Sequence, residues 1–130
     1  MKSIKSAITR GLPVGSRMEA CDNSGAKIVK IISVKTYKSV KGRRPTAGVG
    51  DLVFVSVVKG KPDIRKQVVP AVIVRQKMAY RRRSGIRVFF EDNAVVILKD
   101  EDGNPRGTIF KGPIAKEAAE RWPPVAKLSK

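Results

Sequence analysis

Residues 71–98 constrain this chain more tightly than any other stretch. They begin with the apolar run Ala71-Val72-Ile73-Val74 and continue into a basic turn centred on Tyr80-Arg81-Arg82-Arg83-Ser84-Gly85. The apolar run 86–90 follows, and after Glu91-Asp92-Asn93 comes Ala94-Val95-Val96-Ile97-Leu98. Short apolar runs bounded by turn residues are strand material. The triplet Arg81-Arg82-Arg83 has no carboxylate within five residues on either side. Buried strands therefore flank a turn that repels itself unless an anion lies against it. A polyanion is the natural occupant, and RNA is the first candidate.

The rest of the chain has the same texture. Residues 1–16 form a basic lead-in punctuated by Gly11, Pro13 and Gly15. Residues 17–21 and 26–35 are expected strands joined at Asp22-Asn23-Ser24-Gly25, a hairpin in which Asp and Asn fold back on their own backbone and Gly takes positive φ. Residues 36–50 form a long basic loop with no acid before Asp51. Residues 51–59 are the clearest strand. Val53, Val55 and Val57 occupy one parity and Leu52, Phe54, Ser56 and Val58 the other, so both faces are apolar. Residues 60–67 make a second basic turn or protruding ribbon. Residues 68–76 and 86–90 are expected strands around the Arg turn, with 94–98 another and 108–110 a short addition. Pro113 opens the one convincing helix, where Ile114, Ala118 and Trp122 repeat at four-residue spacing and Pro123-Pro124 stop it. Close-set short strands followed by one helix predict a small antiparallel barrel, with one domain over residues 1–130: lead-in 1–16, barrel 17–110, helix and tail 111–130.

Composition excludes several functions. At 130 residues and 42% hydrophobic, the chain can bury a core and is not a disordered polycation. Its net charge of +17 is confined: residues 1–90 hold 21 Lys/Arg and 4 acids, whereas residues 91–130 hold 7 of each. The first part therefore suits phosphate and the second suits packing or a protein partner. There is no histidine, which removes the usual general base and the commonest metal ligand. The single cysteine, Cys21, cannot form an internal disulfide or a multi-cysteine zinc site. The expectation is a non-enzymatic protein with no metal, no cofactor and no membrane span, residing in the cytoplasm. Glu91-Asp92 and Asp100-Glu101-Asp102 read as solvated turns rather than acid/base pairs. The glycines of 42–50 lack the lysine spacing of a phosphate-binding loop.

Three basic excursions are the candidate site. They are Lys38, Lys41, Arg43 and Arg44; then Lys59, Lys61, Arg65 and Lys66; then Arg75, Lys77, Arg81, Arg82, Arg83 and Arg87. Arginine offers a planar fork to phosphate oxygens and lysine a mobile point charge. None lies on a convincing helix, which disfavours a DNA recognition helix and favours backbone contact with folded RNA. Tyr80 is placed either to stack on a base or to cap a strand. Of Phe89 and Phe90, which point to opposite faces, one is expected in the core and the other under the C-terminal segment. Lys116, Glu117, Glu120, Arg121 and Trp122 are the candidate protein-partner surface, with the helix serving chiefly to cap the barrel. A free-standing RNA chaperone with a similar barrel is the alternative.

Five strings carry a resemblance. Asp22-Asn-Ser-Gly-Ala26, residues 42–51 (Gly-Arg-Arg-Pro-Thr-Ala-Gly-Val-Gly-Asp), Ala71-Val-Ile-Val-Arg75, Phe90-Glu-Asp-Asn-Ala-Val-Val-Ile97 and residues 107–117 (Gly-Thr-Ile-Phe-Lys-Gly-Pro-Ile-Ala-Lys-Glu) stand in the order seen in the universal large-subunit ribosomal protein L-fourteen family. The chain resembles that family from about residue 17 to 122, in its archaeal and eukaryotic form. The resemblance implies a closed five-stranded barrel with a protruding basic ribbon and a short C-terminal helical region. It implies a structural role in the large subunit on large-subunit rRNA, contact with small-subunit rRNA at intersubunit bridges, and neighbouring large-subunit ribosomal proteins. It also implies that the anti-association initiation factor six docks near the C-terminal side. One departure is Arg83-Ser84-Gly85, where Asp-Gly is commoner in the family; it adds charge beside the expected RNA contact.

Overall fold

A computed structural model describes residues 11–23, 25–34, 46–81, 85–100, 104–107, 110 and 112–128. Its strands are β1 (Leu12–Pro13), β2 (Arg17–Ala20), β3 (Ala26–Val34), β4 (Thr46–Ala47), β5 (Leu52–Gly60), β6 (Val68–Arg75), β7 (Tyr80–Arg81), β8 (Arg87–Val88) and β9 (Ala94–Ile97). Two helices follow, α1 (Lys116–Arg121) and α2 (Pro123–Leu128). Strands β2, β3, β5, β6 and β9 close into a barrel in that order.

The barrel is mixed, where the sequence reading expected an antiparallel one. Four seams are antiparallel, and β2 meets β9 in parallel, with Glu19 beside Ala94 and Ala20 beside Val95. Simple counting requires this. Directions that alternate around a closed ring need an even number of strands, so a ring of five must contain a parallel neighbour pair. The seam is held by Glu19 N–H on Asn93 O and Cys21 N–H on Val95 O. It is finished by the buried Asp22, whose carboxylate accepts the Ile97 N–H at 3.0 Å. Asp22 thus does more than turn a hairpin.

The patterning of β5 behaves as its sequence demands. Val53, Val55 and Val57 fill the interior, while Phe54, Ser56 and Val58 are half-buried between β3 and β6. From Ala71 to Arg75 β6 is buried on both faces, and every residue of β9 is fully buried. At the end of β5 the backbones of two turns touch. A Cβ on Gly60 would lie 2.7 Å from Gly25 O, so only glycine fits there.

Residues 86–90 are not barrel wall. Strand β6 pairs with β9 instead, while β7 and β8 form a separate two-stranded ribbon with Tyr80 opposite Val88 and Arg81 opposite Arg87. The run 94–97 can be buried on both faces, whereas 86–90 carries Arg87 and leaves Ile86 and Phe89 in solvent. Residues 108 and 109 lie outside the described residues, and Phe110 makes an isolated bridge to Asp22.

Pro123-Pro124 do not simply end a helix. They open α2, since a proline in the first turn gives up an N–H that had no partner there. Helix α1 packs against β6 through Ala115, whose N–H reaches Val74 O, and through the buried Ala118. Among the described residues no helix is long and apolar enough to cross a membrane.

Candidate nucleic-acid interface

The expected basic residues divide into three groups. Lys38, Lys41, Arg43, Arg44, Arg82 and Arg83 lie outside the described residues. Lys59, Lys61, Arg65, Lys66, Lys77, Arg81 and Arg87 are exposed. Arg75 is neither mobile nor free.

The second excursion is a tight turn anchored by Ile64, which is fully buried among the exposed cations. The N–H groups of Ile64 and Arg65 both donate to Lys61 O, and the Lys66 N–H returns to Val57 O. Lys66 sits at φ 66°, a left-handed conformation that costs a lysine about 1 kcal/mol. Lys61 N–H donates to Gly25 O, tying this turn to the first hairpin. The result is four cationic side chains projecting from a rigid base.

Three cations from separate parts of the sequence meet on the barrel wall. Across β2, β3 and β5 the register places Glu19 beside Ile28 and Ile28 beside Lys59. A shallow groove there is lined by Arg17, Glu19, Ile28, Lys59, Lys77, Asp92 and Asn93, joining the second excursion to the third. Lys77 is held at its rim, its N–H donating to Asn93 Oδ1 at 2.8 Å. Arg17 is directly opposite Lys30 in the β2–β3 ladder, and both are exposed. Neither was among the residues expected from sequence. The signal was available in the alternation of β3, where Lys27 and Lys30 fall on solvent positions.

On the ribbon, Arg81 and Arg87 are exposed cross-strand partners, and like charges placed opposite one another destabilise a ladder. No carboxylate pairs with either among the described residues.

Arg75 belongs to the fold. It is 8% exposed; its Nε lies 3.0 Å from Asp92 Oδ1, its Nη2 donates to Asp92 Oδ2 at 3.3 Å, and its Nη1 donates to Pro113 O at 3.4 Å. A Cβ on Gly112 would run into its guanidinium. One arginine therefore joins β6, the 92–93 turn and the segment leading to α1. The expectation that Arg75 grips phosphate gives way to this placement, because a bidentate carboxylate already occupies its fork.

Tyr80 is also structural. It is 1% exposed and its hydroxyl donates to Glu117 Oε1 at 2.9 Å, so it is no base platform. Phe90 packs on the core, but Phe89 is 70% exposed, not covered by the C-terminal segment as expected. The unforeseen buried polar residue is Gln76. Its Oε1 accepts the Val49 N–H and its Nε2 donates to Met78 O, fixing the end of the long loop.

The expected partner surface divides in the same way. Glu117 receives Tyr80, Arg121 pairs with Asp51 at 3.2 Å and lies over the Trp122 ring, and Trp122 Nε1 donates to Gly50 O at 2.8 Å. These three bind α1 to the barrel. Lys116 faces solvent and Glu120 is part-exposed, 3.8 Å apart along the helix.

Cys21 is buried, and desolvation pushes its thiol up to about 11, so it is protonated at neutral pH. Among the described residues no three His, Cys, Asp or Glu gather as a metal site.

Known proteins are similar to this chain over nearly their whole length. The family described as Ribosomal protein L14p/L23e matches residues 11–130. The large ribosomal subunit protein uL14 of Nanoarchaeum equitans is 57% identical over 130 residues, covering 100% of this chain and 98% of that protein. Its counterpart in Methanococcus vannielii is 55% identical with the same coverage, and that of Methanocorpusculum labreanum is 50% identical over 129 residues. With a family match over residues 11–130 and full-length similarity in agreement, the chain belongs to the ribosomal protein L14p/L23e family.

Proposed function

We infer that this chain is a non-enzymatic structural component of the large ribosomal subunit, working in the cytoplasmic ribosome with large-subunit rRNA and neighbouring ribosomal proteins as its partners. The observation that carries the RNA contact is the run of exposed cations without carboxylate partners among the described residues, from the turn 61–66 to the opposed Arg81 and Arg87, beside a groove where Arg17, Lys59 and Lys77 outnumber Glu19 and Asp92. Rigid, outward-facing cations on strands and turns suit the sugar–phosphate surface of a folded RNA. The basic loop with Lys38, Lys41, Arg43 and Arg44, and the turn with Arg82 and Arg83, extend the same reading from the sequence. Contact with small-subunit rRNA at intersubunit bridges belongs to the same reading, with no single basic loop assigned to it.

Anti-association initiation factor six is assigned to the C-terminal side, through the outward residues Lys116 and Glu120 rather than the inward Glu117, Arg121 and Trp122. A free-standing RNA chaperone is disfavoured. Such a barrel binds by stacking bases along its wall, and among the described residues Phe89 is the one fully exposed aromatic ring and lies beside the ribbon, off the barrel wall.

Binding to large-subunit rRNA tests the reading. Affinity should fall roughly 10³-fold or more between 50 and 200 mM salt if about six phosphates are contacted. The protein should also sediment with large subunits in sucrose gradients after a high-salt wash. A nearly flat salt dependence, or cosedimentation with mixed RNA instead of subunits, overturns it.

A further inference from the structure

The β7–β8 ribbon has two dissimilar faces. Tyr80 and Val88 are paired on the inner one, and Phe90 continues that parity into the core, its N–H donating to Gln76 O. The outer one carries Arg81 and Arg87 directly opposite each other, and the exposed Phe89 stands two residues beyond Arg87, just past the end of β8. Phe89 is 70% exposed, the most exposed large apolar side chain among the described residues. Nothing in the fold requires that ring to stand in water, since its neighbours Val88 and Phe90 already supply the buried contacts.

We propose that this outer face takes a single unpaired RNA nucleotide, its base stacked on Phe89 and its phosphate held between Arg81 and Arg87. The inference rests on the rRNA-binding reading above and adds a base contact to it. Two observations favour a nucleotide. The first is charge. Two guanidinium groups brought together across a ladder leave a local field that one phosphate neutralises, and that relieves the repulsion built into the ribbon. The second is spacing. Arg87 and Phe89 are two residues apart, at most about 7 Å between Cα atoms, a span that one nucleotide covers from phosphate to base. The far side of the ring fixes direction. There Phe89 borders a groove lined by Glu19, Arg75, Glu91 and Asp92, in which Arg75 is already taken up by Asp92, so the cations left without a carboxylate are Arg81 and Arg87 and the phosphate runs on their side. A base in a duplex has both faces covered and offers none to Phe89, so the nucleotide is one splayed from a loop or bulge.

The test is titration of a large-subunit rRNA transcript with the full chain and with Phe89→Ala and Phe89→Trp, across a salt series. Phe89→Ala should weaken binding about 5- to 150-fold, the range for losing one base–aromatic stack. The slope of log affinity against log salt should stay as in the parent, because no charge has changed. Phe89→Trp should restore affinity, and its added fluorescence, over the Trp122 signal of the parent, should be quenched by the RNA. Thermal melting of both variants should match the parent, since the ring is exposed. Parental affinity in Phe89→Ala overturns the platform and assigns the ring to a protein neighbour. A changed salt slope in Phe89→Ala also overturns it. Failure of the underlying rRNA reading is distinct: there the parent chain itself shows flat, weak binding.

Discussion

Arg75 and Arg81 lie six positions apart in one basic stretch, and the fold treats them as opposites. Arg75, at the end of a wall strand, is buried against the Asp92 carboxylate and the Pro113 carbonyl. Arg81, on the ribbon, is exposed and faces Arg87. The difference lies in their partners. Where the chain returns a carboxylate to an arginine, the cation becomes mortar between elements. Where it returns a second cation, the pair waits for an anion from outside.

That contrast can be broken experimentally, and the largest effect belongs to the wall. Arg75→Ala leaves the part-exposed Asp92 without its fork and Pro113 O without its donor, and should destabilise the fold by about 2 kcal/mol in urea unfolding. Its salt slope for rRNA should be unchanged; a slope reduced by one would place Arg75 among the phosphate contacts after all. The ribbon should respond the other way. Arg81→Ala with Arg87→Ala should lower the salt slope by roughly two while leaving stability equal to the parent or up to about 1 kcal/mol higher, because the opposed charges are gone. A loss of stability there would mean the pair supports the fold. The smallest effect sharpens the boundary between barrel and helix. Tyr80→Phe removes the hydroxyl that reaches Glu117 and should cost about 1 kcal/mol of stability with no change in rRNA affinity, read by unfolding and titration on the same sample.

Much of the barrel was legible because its strands obey parity. The β5 alternation, the 17–21 and 26–35 hairpin and the doubly apolar 94–98 run each follow from side chains that must be buried. Partner choice was not legible. Residues 86–90 and 94–98 look alike to a period-two reading, and only competition for a place covered on both faces sends 94–97 to β6. The parallel seam was deducible from the odd strand number alone. Of the site, the excursions at 59–66 and 77–87 were visible as charge runs. The inward turn of Arg75, Tyr80 and Trp122 was not, because each is decided by a partner 17 to 72 residues away. Arg17 was hidden for the converse reason: it is a lone cation that only the register sets beside Lys30.

The β2–β9 seam has a consequence for synthesis. Asp22 waits for the Ile97 amide, 75 residues further along, and until that amide arrives β2 is bonded on one side only. Closure is thus a late, long-loop event, and contacts of such separation fold slowly. While the chain emerges from the N-terminus onward, it presents an open strand edge together with nearly all its positive charge. The last 40 residues, neutral in net charge, convert that sheet into a sealed barrel. Truncation before residue 97 should therefore yield an aggregating polycation, not a smaller version of the same protein.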